Sequence, residues 1–158
     1  MEALVRWVDP EVGLVPPNDF IPIAEASDLI IALDRWVLDH AAEQLARWSS
    51  DPRLAATPLA VNLSGRHLRH PQLVDHVLEP LRRRGVSPHR LTVEVTETAL
   101  LDDLASAATH LAALRAAGVR VAIDDFGTGY TSLAHLRALP VDVLKIDGSF
   151  VSNLARED

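Results

Sequence analysis

Cysteine is absent from the 158 residues, which removes disulfides and thiolate metal sites together and leaves oxygen or imidazole to ligate any metal. The same absence suits a reducing compartment, and a cytoplasmic location is the expectation. The start, MEALVRWVDPEVG, has no basic segment leading into an apolar run, and nowhere do roughly 18 uncharged apolar residues stand together. Neither export nor a membrane span is expected of this chain. Positive charge is in deficit, with fifteen Lys and Arg against twenty-two Asp and Glu and a formal charge of −7. That balance opposes a broad electrostatic grip on polymeric nucleic acid. A small phosphate ligand stays open, because bound divalent cations reverse the sign that a carboxylate cluster presents. Aromatics are only 4% of the chain, and Trp7, Trp36 and Trp48 read as packing residues rather than a base-stacking platform. No GxSxG elbow or HExxH helix occurs, so neither a serine hydrolase nor a zinc peptidase is indicated.

What is there suffices for one core: 48% of residues are hydrophobic and 23% charged, in a length that argues against two domains. Four short apolar runs, Leu59 to Leu63, Leu91 to Val95, Val119 to Ile123 and Val141 to Ile146, read as buried strands. Between them lie helical spacings: Leu33, Val37, Ala41 and Leu45, then Leu73, Val77 and Leu81, then Leu104, Ala108, Leu111 and Leu114. Gly85 and Gly118 stand where helix C-caps belong, and Arg82, Arg83 and Arg84 suit a solvated last turn. The result is a series of βα units with a parallel sheet, and both a barrel and an open doubly wound sheet fit it. Asp9 to Pro22, with four prolines, reads as an ordered loop before the first helix.

Each apolar run meets a residue that is odd for a strand: Asn62, Glu94, the pair Asp124 and Asp125, and Lys145. They fall near the C-terminal strand ends, where parallel α/β folds assemble sites. Glu2, beside Leu4 and Arg6, fits the end of one more strand. Glu2, Asn62, Glu94, Asp124 and Asp125 offer only oxygen, the preference of magnesium, manganese or calcium. An adjacent Asp pair is especially suggestive, since crowded carboxylates call for a proton or a cation. The loop DDFGTGYTSL follows, with Gly127 and Gly129 free to turn and Thr128, Thr131 and Ser132 available to cap or bind. His67 and His70 could share a helical face, but no acidic neighbour in sequence completes a metal motif, and a solvated placement is expected.

Six words stand in register along the chain: EALVRW at Glu2 to Trp7, FIPIAE at Phe20 to Glu25, AVNLS at Ala60 to Ser64, EVTET at Glu94 to Thr98, DDFGTGY at Asp124 to Tyr130 and LKIDGSFV at Leu144 to Val151. Together they resemble the EAL family of bacterial cyclic di-GMP phosphodiesterases, over essentially the whole chain. The resemblance implies a TIM-like (β/α) barrel, of which residues 1–158 would form about the first two thirds. It also implies hydrolysis of cyclic di-GMP to linear pGpG with two metals, Mg²⁺ or Mn²⁺. By the same resemblance Glu2, Asn62, Glu94, Asp124 and Asp125 hold the metals, with Asp124 as the bridge. Lys145 holds the attacking water and Asp147 takes part in catalysis; Arg6 meets a substrate phosphate beside Leu4; Glu97 anchors the glycine-rich loop that supports metal binding and dimerisation. A homodimer, or a complex with a partner EAL or GGDEF protein, is the implied assembly.

The ends depart from the family. A TIM barrel takes about 250 residues, and the family expects a strand before Glu2 and further βα units with an EGVE-like glutamate after Asp158. A partial EAL domain is therefore expected, from a gene fragment or a misplaced start, with weak or absent turnover in the isolated chain. Two other readings stand beside the enzyme: a non-catalytic module that binds cyclic di-GMP or a partner EAL protein, and a nonfunctional remnant.

Overall fold

Apolar runs bounded by glycine-capped helices leave the chain one economical arrangement, a parallel sheet with helices laid along one face. The computed structural model describes residues 1–101, 103–127 and 139–148. Its elements are β1 (Glu2–Ala3), β2 (Trp7–Asp9), β3 (Gly13–Val15), α1 (Pro17–Glu25), α2 (Leu29–Trp48), β4 (Leu59–Asn62), α3 (Gly65–Leu68), α4 (Leu73–Arg83), β5 (Leu91–Thr96), α5 (Glu97–Leu101), α6 (Leu104–Ala116), β6 (Arg120–Phe126) and β7 (Val143–Ile146). Five strands form one sheet in the order β1-β4-β5-β6-β7, every pairing parallel. All four expected strands form, and Glu2 does lie on a further one. The bounds move: β5 continues past Glu94 to Thr96, and β6 runs through Asp124 and Asp125 to Phe126.

Val61, Val93, Val95, Val121 and Ile123 are almost fully buried in one core with Leu38 and Leu45 of α2, Leu73 and Leu81 of α4, and Leu111 and Leu114 of α6. α4 and α6 pass into the next strand through Gly85 and Gly118, both in the left-handed region, with φ of 63° and 97°. Only glycine takes that turn at Gly118 without strain, and a Cβ there would also lie 2.8 Å from the His89 ring.

Three expectations need correcting. Asp9 to Pro22 is not simply a loop: it contains the end of an antiparallel β2–β3 hairpin and more than half of α1. The prolines permit this because Pro16 and Pro17 sit at the cap and first position of α1, where no N–H is needed, and Asp9 Oδ1 accepts the turn N–H groups of Glu11 and Val12 at 2.9 and 3.1 Å. Trp36 is 53% exposed, stacked near His40, and Trp7 is half exposed against the edge of Phe20, so of the three tryptophans only Trp48 packs onto the core. His67 is not solvated at all.

His67 is fully buried, with Nδ1 3.2 Å from Asp34 Oδ2 and Nε2 2.9 Å from His76 Nδ1, while the His70 ring stacks on His76. The acidic partner comes from α2, a different element of the fold. Burial, followed by the charges of Arg35, His67 and His70, holds His76 below the ordinary histidine value, and Asp75 opposes them only in part. The unfolded chain therefore takes up this proton first as pH falls. Stability from neutral His76 is present above the ordinary histidine range and is lost as pH drops through the folded value. The denaturation midpoint is expected to fall between about pH 7.5 and about pH 5.5, and His76→Gln to flatten that fall. An unchanged slope in the variant would assign the acid sensitivity elsewhere.

Candidate metal and substrate site

Side chains alternate along a strand, and paired residues of parallel strands share a face. Asn62 stands opposite Glu94, Glu94 opposite Ala122, and Ala122 opposite Val143. Two residues further on, Asp124 and Lys145 fall on that same face. Glu2, opposite Ala60, joins it by the same count. Five polar side chains from five adjacent strands thus lie on the face opposite the one that Val61, Val93 and Val121 bury in the core.

They meet at one point. Lys145 Nζ donates to Asp124 Oδ2 at 2.7 Å and Glu94 Oε2 at 2.8 Å, and stands 4.0 Å from Glu2 Oε2. Asn62 Nδ2 donates to Glu2 Oε1 at 2.7 Å. Burial pushes the Lys145 ammonium down, but the hydrogen bonds and charges of Asp124 and Glu94 outweigh it and hold its pKa well above the ordinary lysine value. Among the described residues the carboxylates gather around this ammonium rather than around an open coordination point. The donor set nevertheless suits a hard cation: three carboxylates converge where a positive charge already sits, and the Asn62 amide stands beside one of them.

Asp125 is held differently. The β6–β7 register breaks between Ile123 and Phe126, and Asp125 takes a φ of 54° there, a left-handed conformation that costs roughly 1 kcal/mol for a non-glycine residue. Its N–H donates to Asp124 Oδ1 at 2.9 Å. Burial, then the charges of Asp124 and Asp147, raise its carboxyl above the ordinary aspartate value, with Lys145 opposing. Asp147 follows β7 and donates its N–H to Phe126 O at 3.1 Å, which brings the two ends of the broken register together.

Leu4 is exposed, and Arg6, whose Nη1 donates to Val5 O, is exposed beside it; with Asn62 both line a cavity of about 240 Å³. A larger cavity of about 440 Å³ opens on the other side of Asn62, lined by Glu94, Thr96, Ser64, Arg66 and Arg69 among others. Glu97 is 2% exposed, and Oε2 accepts the N–H of Gly127, whose φ is 102°. The expected loop anchor is thus in contact with the first glycine of its loop. Thr128, Gly129, Thr131 and Ser132 lie outside the described residues.

Sequence reasoning missed Asp34. Its Oδ2 accepts from Ser64 N at 3.0 Å, Ser64 Oγ at 2.6 Å and His67 Nδ1, pinning the turn directly after Asn62. A signal existed: a carboxylate four residues from both Ile30 and Leu38, on the buried stripe of α2, is out of place unless it is bonded.

A parallel α/β sheet of the TIM-like kind, with a carboxylate and lysine cluster on its inner face, defines a class of site built for a cationic or phosphorylated ligand. The EAL domain family matches the chain over residues 1–158. A "signaling protein" of Caulobacter vibrioides is 49% identical over 99% of this chain and 19% of its own length. The bifunctional diguanylate cyclase/cyclic di-GMP phosphodiesterase MucR of Pseudomonas aeruginosa is 43% identical over 99% of this chain and 23% of its own. The structure of the MucR phosphodiesterase in complex with c-di-GMP superposes with a TM-score of 0.90, covering 99% of this chain and 63% of that one. The FimX EAL domain of Pseudomonas aeruginosa bound to c-di-GMP gives 0.86 at 30% identity, covering 98% and 61%. The chain belongs to the EAL domain family of cyclic di-GMP phosphodiesterases, and it spans about a fifth to a quarter of the curated relatives it matches. No helix among the described residues is long and apolar enough to cross a membrane.

Proposed function

We propose that this chain is the metal-binding part of an EAL phosphodiesterase domain that hydrolyses cyclic di-GMP to linear pGpG. The observation that supports the reading is the convergence of Glu2, Glu94 and Asp124, from three strands of the sheet, on the Lys145 ammonium, with Asn62 of the strand between them hydrogen-bonded to Glu2. Glu2, Asn62, Glu94, Asp124 and Asp125 would hold two divalent cations, Mg²⁺ or Mn²⁺. Bound there, such cations supply positive charge against a phosphodiester and activate water for attack.

The chain's own residues do the rest. Lys145 offers a full positive charge at the reacting phosphate and a donor that can orient water. Arg6, free to reorient its exposed guanidinium, pairs with a phosphate oxygen, and Leu4 beside it gives the ligand an apolar contact. The two cavities that meet at Asn62 would give a cyclic dinucleotide room beside the carboxylate cluster. Glu97, by holding Gly127, fixes the position of the chain that leaves Asp124 and Asp125. Asp147, tied through its N–H to Phe126 O at the end of β7, would take part in catalysis beside Asp125. The same domain in a longer protein would act as a cytoplasmic signalling module, as a homodimer or with a partner EAL or GGDEF protein.

The test is incubation with cyclic di-GMP and Mn²⁺, followed by chromatography. Linear pGpG that disappears with Asp124→Ala supports the phosphodiesterase reading, and more is expected from a version continued through further βα units than from this chain alone. Saturable binding of cyclic di-GMP with no pGpG from either version would favour the non-catalytic module. No binding and no product would overturn both.

A further inference from the structure

Lys145 sits among the carboxylates proposed above to hold the metals. Its Nζ is within hydrogen-bond distance of Glu94 Oε2 and Asp124 Oδ2 and near Glu2 Oε2, the oxygens on which any cation bound at that point depends. Cation to oxygen distances for Mg²⁺, Mn²⁺ or Ca²⁺ run about 2.0 to 2.6 Å, so an ion taking both oxygens would press directly on the ammonium. The two cannot share the position.

We infer that Lys145 is the resident counter-cation of the metal-free site, and that metal loading is an exchange in which the ammonium leaves as the divalent ion enters. This rests on the metal reading proposed above. Glu94 and Asp124 are 7% and 22% exposed at their side chains, too buried for water alone to separate their charges from that of Glu2. Without a cation they repel one another. The ammonium keeps the three strands' carboxylates facing inward in register. Leaving is feasible as well: the Lys145 side chain is 35% exposed, it stands on a flexible four-carbon stem, and among the described residues β7 pairs only with β6. Exchange then has a consequence for order. The lysine becomes available to a substrate phosphate only once the metal has displaced it, so a metal-free site offers neither the Lewis acid nor the lysine.

Lys145→Met keeps the stem and removes the charge. In chelator, the variant is expected to melt well below the wild-type chain, while Lys145→Arg retains most of the stability. Calorimetric titration should show Mn²⁺ binding roughly tenfold or more tighter in Lys145→Met than in the wild type, because the competitor is gone. If Lys145→Met does not fold in chelator, Mn²⁺ is expected to restore its fold; failure to do so, with a wild type that binds Mn²⁺, overturns the exchange. Equal metal-free stability of wild type and Lys145→Met, or equal or weaker Mn²⁺ affinity in the variant, overturns it too. A wild type with no Mn²⁺ affinity instead overturns the metal reading on which the exchange stands.

Discussion

Replacing Asp124 by alanine is expected to weaken Mn²⁺ binding by about a hundredfold or more, which is what losing one partner of a buried charge cluster, about 3 kcal/mol or more, amounts to. Asp124 occupies the densest position in the site. Its Oδ2 accepts from Lys145, its Oδ1 accepts the N–H of Asp125, and it lies with Asp125 inside the register break between Ile123 and Phe126. Alanine would therefore remove one proposed ligand and release another. Glu94→Ala should follow closely, since Glu94 shares the ammonium and is the most buried carboxylate of the cluster. Calorimetric titration on the folded variants checks both. Equal Mn²⁺ affinity for the wild type and Asp124→Ala would mean that the metals, if they bind, bind somewhere else.

The sheet was legible because its signal is local. A run such as LTVEV carries its own β-branched apolar pattern, and the helix stripes and glycine caps around it are equally short-range. The hairpin was not legible, because proline density argues against regular structure on average while saying nothing of where each proline falls; here Pro10 falls in the hairpin turn, Pro16 and Pro17 at a helix start, and Pro22 inside that helix. The polar residues of the site were legible as anomalies within apolar runs, and family likeness supplied their roles. What joins them was hidden. Lys145 meets Glu94 across 51 residues, and Asp34 meets Ser64 and His67 across 30 and 33. No spacing rule reaches that far, so His67 looked like a surface residue until the fold brought a carboxylate to it.

Arg90 is another residue of that hidden kind, and Arg90→Ala is expected to cost roughly 3 to 4 kcal/mol of folding stability while leaving the metal site's chemistry intact. Arg90 lies in the short 3₁₀ turn Pro88–Arg90 that feeds β5. Its Nη1 donates to Leu45 O at 2.9 Å and Ser49 Oγ at 2.7 Å, and its Nη2 to Leu54 O and Thr57 O, each at 3.2 Å. One guanidinium thereby ties the end of α2, the loop after it and the entry to β5. Leu45 O also accepts from the N–H and hydroxyl of Ser49, so the guanidinium adds a further donor at this helix end, where a cation meets the helix dipole favourably. Alanine strips all four acceptors of this donor at once, three of them in part-buried bonds and the Ser49 hydroxyl in an exposed one. Lysine restores the charge but not the fork, so Arg90→Lys should recover less than half of the loss. Because domains hold only about 5 to 15 kcal/mol in reserve, Arg90→Ala should show a much lower urea midpoint, yet the molecules still folded at low temperature should bind Mn²⁺ as the wild type does. A midpoint within experimental scatter of the wild type would show that the loop before β4 holds itself, and that these four hydrogen bonds merely replace equally good ones to water.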